Sequence, residues 1–220
     1  MNKVLYQPHV GSSSSATTGI GERPIPVVDW RRELPTLHGS AVTLRELRPS
    51  DAALLLTAMS TQNVARFLSP PPASVDSFEK FIIWARQQRA AGQLICFAAV
   101  QPGSDNVVGL FQIRSLEPRF QTAEWGFALA AEHWGSGMFA TGAKLALDFA
   151  FNVVGTRRLE ARAAVGNGRG NGALKKLGAR QEAMLRRSFL RNGEYYDQLL
   201  WSILADEWHG HSIWEPQIAH

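Results

Sequence analysis

The sequence predicts an α+β fold around a largely antiparallel sheet of about seven strands. Three observations predict it. Strand signals at 94–100, 107–114 and 122–129 follow one another across short links, Gly103-Ser-Asp-Asn106 among them, and read as an antiparallel meander. Twice a strand runs into a glycine-rich segment and then a helical pattern, first over Glu124–Ala143 and again over Arg158–Leu177. Finally, Ala179–Phe189 and Tyr195–Leu204 are joined across Arg191-Asn-Gly193, and Asn-Gly takes the positive φ angles of a tight hairpin turn.

The elements follow in order. Val42–Leu47 alternates as a half-buried strand, and Pro49-Ser-Asp51 caps a helix carrying Leu54, Leu55, Leu56 and Met59. After Pro70-Pro-Pro72, Asp76 and Glu79 read as a capping pair for a helix through Phe78, Phe81, Ile82 and Ala85 towards Gly92. The prolines mark a loop expected to border a substrate site. Beyond the meander, Leu145, Phe149 and Val153 share one helical stripe with Ala146 and Ala150 beside it, ended by Gly155, so this helix packs one face on a sheet. Arg158–Ala164 is a further strand, and a glycine-rich loop over 165–172 leads to a short helix, Ala173–Leu177.

Residues 1–36, with their serine run and prolines, read as a flexible arm whose far end could be anchored by Val27, Val28 and Trp30. The folded domain is expected over 37–208, and 209–220 as a peripheral tail. At 220 residues one full core is available. No run approaches the roughly 18–20 apolar residues that cross a bilayer, so no membrane partner is expected. The opening residues carry no apolar core of leader length. Cys96, the single cysteine, lies inside an apolar strand and reads as a buried small hydrophobe in a reducing, cytoplasmic setting. The net charge of +4, with basic residues recurring after position 155, suits an anionic ligand. No nucleic-acid motif or dense basic block is present, so no nucleic-acid partner is expected. There is room for a homodimer.

The chemistry concentrates in Glu124–Ala143. A helix that starts on Gly135-Ser-Gly137 offers unpaired backbone N–H groups and the positive end of its dipole, which makes phosphate the natural ligand. Gly135-Ser-Gly137-Met-Phe-Ala140 also fits the loose dinucleotide pattern G-x-G-x-x-A. That reading wants the loop after the first strand of a repeated βαβ series; here hairpin-linked strands precede it, and Glu160 falls mid-strand. A nicotinamide or flavin oxidoreductase is therefore the weaker alternative.

Ala123-Glu-Trp-Gly126, Trp134-Gly-Ser-Gly-Met-Phe139, Leu159-Glu-Ala161, Asn167 with Leu177-Gly178, and Asn192-Gly-Glu-Tyr195 with Asp197 and Glu207-Trp208 occur in an order that resembles the GNAT superfamily of N-acetyltransferases, and within it the RimJ/RimL-type subgroup. The resemblance runs from about Leu37 to Trp208. It implies a mixed sheet with helices on both faces, acetyl-coenzyme A as donor and a primary amine as acceptor, either a protein N-terminus or a small molecule. Carried over by position, the backbone of Phe127, Ala128 and Leu129 would pair with the pantetheine arm where two strands splay. The segment Trp134, Gly135, Ser136, Gly137, Met138, Phe139 and Ala140 would hold the pyrophosphate. Asn167 stands where the family commonly contacts the cofactor, with Asn171 and Arg169 as lesser candidates.

The chain also departs from the family pattern. Trp134 replaces the usual Gln or Arg, and Phe139 a small residue. Leu174 stands where many members carry a Tyr general acid, and Gly170 where the subgroup carries a Ser. This leaves the general acid unassigned, with water as one candidate. An acyl-coenzyme A-binding module without turnover is the second alternative.

Amine attack on a thioester needs the neutral amine, so a carboxylate acting directly or through water is the expected base. Glu124 and Glu160 lie within otherwise apolar strands that flank the expected cleft, and Glu124 is preferred. His133 adjoins the turn but reads as a surface group. His209 and His211 lack a third ligand, and no metal is expected.

Overall fold

The computed structural model describes residues 29–208. Val27, Val28, His209, His211 and the 209–220 tail lie outside the described residues.

Eight strands form one sheet, one more than the sequence suggests: β1 (Leu37–His38), β2 (Thr43–Glu46), β3 (Leu94–Val100), β4 (Val107–Ser115), β5 (Thr122–Leu129), β6 (Arg158–Ala164), β7 (Arg180–Arg191) and β8 (Glu194–Leu204). Their order is β1-β2-β3-β4-β5-β6-β8-β7. The added strand, β1, is only two residues long, too short to leave a period in the sequence. Every pairing is antiparallel except that of β5 with β6. Among the described residues five α-helices accompany the sheet: α1 (Ala52–Ser60), α2 (Gln62–Ala65), α3 (Val75–Ala90), α4 (Met138–Phe149) and α5 (Gly168–Lys176).

Strand β3 shows why both faces are covered. Ile95, Phe97 and Ala99 join the core under α4, while Leu94, Cys96, Ala98 and Val100 join the core under α1 and α3. All seven residues are buried, as a central strand between two helical layers requires. Among the described residues no helix is long and apolar enough to cross a membrane.

Three local expectations change. Asp51 does not cap α1 with a simple side-chain bond. Its carboxylate takes the backbone N–H of Arg48 at 2.8 Å and both terminal nitrogens of buried Arg45, each at 2.8 Å, and so ties β2 to the helix start. Helix α3 is capped by Ser74, whose Oγ accepts the Ser77 N–H at 3.2 Å. Asp76 is already inside the first turn, where it pairs with Lys80 at 2.8 Å. The glycine-rich segment after β6 is mostly helical, because Asn167 Oδ1 accepts the Gly170 N–H at 2.9 Å and starts α5 at Gly168. The closing hairpin turns as expected, with Asn192 at φ 51° and Gly193 at φ 81°.

Trp30 and Leu34 are buried in the core under α4. The side chain of Arg89, itself buried, donates to the carbonyls of Trp30, at 3.2 Å, and Arg31. Trp30 therefore anchors the chain ahead of β1.

Candidate active site

The parallel pair β5–β6 is registered only through Thr122↔Arg158, Ala123↔Leu159 and Glu124↔Glu160. Past Glu124 the strands part, and a cleft of about 2120 Å³ opens between them and extends over both faces of the sheet. Which backbone groups face the gap follows from the other side of β5. Ala130 donates to Val108 across the β4–β5 pair, and hydrogen-bonding residues alternate along an antiparallel ladder. Ala128 thus spends its N–H and C=O on β4, whereas Phe127 and Leu129 turn theirs to the gap. The Leu129 carbonyl is already taken by the indole N–H of Trp134 at 3.0 Å. The open edge therefore consists of Phe127 and the Leu129 N–H, and Ala128 contributes no backbone group to it.

Beyond β5 the chain turns into α4. Gly135 and Gly137 sit at φ 81° and 84°, angles that a side chain would strain. Thr141 is the first residue of α4 to bond back, to the Gly137 carbonyl, so the amides of Phe139 and Ala140 have no intrahelical partner. Gly135, Ser136, Gly137 and Ala140 are exposed. Ser136 Oγ donates to the His133 carbonyl at 2.6 Å, which braces the turn. The side chains of Met138 and Phe139 turn inwards: Met138 is buried, and the Phe139 ring packs 4.3 Å from that of Phe127. Met138 can serve a ligand here only through its backbone, whereas half-buried Phe139 also lines the cleft.

Trp134, the departure from a basic residue, acquires a cation from elsewhere. The guanidinium of Arg169, on α5, lies 4.5 Å from the centroid of a Trp134 ring. Arg169, Lys144 and Lys176 all line the cleft. The positive charge near the turn thus comes from α4 and α5, a contribution that sequence spacing could not assign.

The two asparagines have different surroundings. Asn167 lines the cleft, with its Oδ1 committed to the cap of α5. A side chain at position 170 would place Cβ 2.6 Å from Asn167 Nδ2, so Gly170 is what lets Asn167 fold back onto its own helix. Asn171 is not a lining residue. Its amide donates to the Ala164 carbonyl and accepts from the Trp201 indole, both at 2.9 Å, which braces the loop. Leu174 is buried in the core and offers no proton.

The carboxylates also separate. Glu124 lines the cleft; Glu160 does not. Glu124 Oε2 takes Arg114 Nη2 at 2.5 Å, and its Oε1 lies 3.5 Å from Arg162 Nη1. Glu160 is engaged mainly by Arg158, which binds it at 2.9 Å and Glu182 at 2.6 Å, while Arg162 bridges Glu124 and Glu160, its Nη2 lying 3.9 Å from Glu160 Oε2.

A parallel pair that splays beside a glycine turn, with free amides at the helix start, is the arrangement that the sequence resemblance requires. The family model described as Acetyltransferase (GNAT) domain matches residues 41–180. The chain belongs to the GNAT acetyltransferase family. YdaF of Bacillus subtilis (strain 168), provisionally named a ribosomal N-acetyltransferase, is 27% identical over 77% of this chain and 94% of its own. The spermidine N(1)-acetyltransferase of Vibrio cholerae is 24% identical over 72% of this chain and 90% of its own. Among solved structures, Mycobacterium smegmatis RimJ in complex with CoA-disulfide superposes with a TM-score of 0.72 at 23% identity, over 78% of this chain and 86% of that one. The GNAT chain is accordingly an acetyl-coenzyme A-dependent N-acetyltransferase.

Proposed function

We propose that the protein transfers the acetyl group of acetyl-coenzyme A directly to a primary amine, with donor and acceptor bound together in the cleft. The observation that carries this reading is the end of β5–β6 pairing at Glu124↔Glu160, which opens a cleft that the Gly135–Gly137 turn also lines. The gap accepts the pantetheine arm along Phe127 and Leu129, and the amides of the turn that have no protein partner, those of Phe139 and Ala140 among them, receive the pyrophosphate. Arg169, Lys144 and Lys176 add positive charge for the remaining phosphate. The acetyl-transfer unit is taken as residues 37–208, with Trp30 and Leu34 of the preceding segment packed into its core.

The amine enters from the face carrying α1 and α3. Its nitrogen lone pair attacks the thioester carbonyl, a C–N bond forms and the C–S bond breaks. Glu124 takes the amine proton through water, since its oxygens are already engaged by Arg114 and Arg162. Water protonates the departing thiolate, because Leu174 and Gly170 carry no donor.

The reading is tested by two measurements on the full chain. Coenzyme A should raise the melting temperature, as a ligand of the folded state must, whereas NAD should not. Acetyl-coenzyme A with a suitable amine should release free thiol. A chain stabilised by NAD and indifferent to coenzyme A would refute the assignment.

A further inference from the structure

We propose that the acceptor is a small amine on an aromatic or bulky apolar body that also bears an anionic group, and that Arg66 meets the anion. This deepens the acetyl-transfer reading above and rests on it.

The acceptor half of the cleft has an aromatic wall. Phe81 and Trp84 lie on successive turns of α3 with ring centroids 6.0 Å apart, and Trp84 is 47% exposed. On the other side Phe67 reaches over the mouth: its ring edge lies 4.0 Å from the point where a Cβ at Gly166 would stand. Pro70, Pro71 and Pro72 stiffen the segment that follows. Large aromatic surface held open at the rim of a cleft is what an apolar ligand covers.

The charges on this half favour an anion over a polycation. Among the described residues the whole cleft is lined by only two carboxylates, Glu124 and Glu207. Glu124 is held between Arg114 and Arg162, and Glu207 is bonded to Arg180 at 3.0 Å. A polyamine needs several carboxylates for its charges and finds none free here. Arg66 has the opposite character. It lines the cleft, is exposed, stacks 5.1 Å from the Phe67 centroid and has no carboxylate within 4.0 Å among the described residues. A guanidinium braced on an aromatic ring at the mouth is suited to a carboxylate carried by the incoming amine.

The test measures thiol release with four acceptors: L-phenylalanine, L-phenylalaninamide, a tripeptide with N-terminal phenylalanine, and spermidine. The amide holds the more neutral amine, so an advantage of the free acid reports on its carboxylate and not on amine basicity. L-Phenylalanine should show the lowest KM. Arg66→Ala should raise that KM about tenfold, the scale of one charge-assisted hydrogen bond. It should leave kcat and the KM of the amide unchanged. A preference for spermidine or the tripeptide, an Arg66→Ala variant with unaltered KM, or no thiol release despite a coenzyme A melting shift would each overturn the acceptor proposal and leave donor binding standing. Absence of both the melting shift and thiol release would instead remove the acetyl-transfer reading beneath it.

Discussion

Arg114 and Glu124 face each other as direct partners of β4 and β5, and their side chains close to 2.5 Å on the sheet face that carries α1 and α3. Arg162 holds the other oxygen of the same carboxylate from β6 at 3.5 Å. Glu124 is therefore held at the point where β5 and β6 part, where it lines the cleft. Glu124→Gln should lower thiol release by roughly 10²–10⁴-fold, the usual worth of a positioned base. The coenzyme A melting shift should be retained, because the contacts proposed for the donor are backbone groups. Undiminished turnover in this variant would remove Glu124 from the proton path.

Gly142 lies inside α4 against the ring of Phe111. An added Cβ would stand 2.6 Å from that ring, which is fully buried in the core and has no room to retreat. Helix propensity favours alanine over glycine by up to ~1 kcal/mol. Overpacking costs ~1–3 kcal/mol, so the clash should win. Gly142→Ala is expected to lower the melting temperature; a rise would show that propensity had prevailed.

Asp51 and Arg45 form a pair whose side chains are only 5% and 6% exposed. Removing the acid leaves a buried guanidinium without its main counter-charge, a loss of about 3–5 kcal/mol. Asp51→Ala should shift the denaturant midpoint strongly, whereas Asp76→Ala, which removes an exposed pair, should hardly move it.

Glu182 gives a pH signature. Hydrogen bonds from Arg158 and then from Ser202 hold its carboxyl down to about 2 from an ordinary 4.5. A depressed acid stabilises the fold above its unfolded value and loses that contribution as pH falls through the folded one. The melting-temperature gap between the wild type and Glu182→Gln should be full above about pH 4.5 and should close towards pH 2. A gap that widened on acidification would contradict the pairing.

Burial pushes the Cys96 thiol up to about 12, against a small opposing effect of Gln112. A thiol reagent at pH 8 should leave the native chain unlabelled and react once with the unfolded one. Rapid native labelling would show that β3 opens.

The sequence carried the meander, the Asn-Gly hairpin and the helix after Gly137, because each is written in adjacent residues with a clear period or turn. Where it went astray, the competing signal was close by. Ser74 outcompeted Asp76 as the cap of α3, and the Asn167 side chain turned a glycine-rich segment expected as loop into helix. The two-residue β1 left no pattern at all.

By itself, then, the sequence determined the turn proposed to hold the donor: a glycine turn at a helix start is a local property of contiguous backbone. Only the tertiary structure decided the rest. It turned the backbone of Ala128 into the sheet, put Glu124 rather than Glu160 at the cleft, laid Arg169 over Trp134 and carried Phe67 across to Gly166. Those relationships join side chains far apart along the chain, and they depend on where β5 and β6 stop pairing, which no local period records.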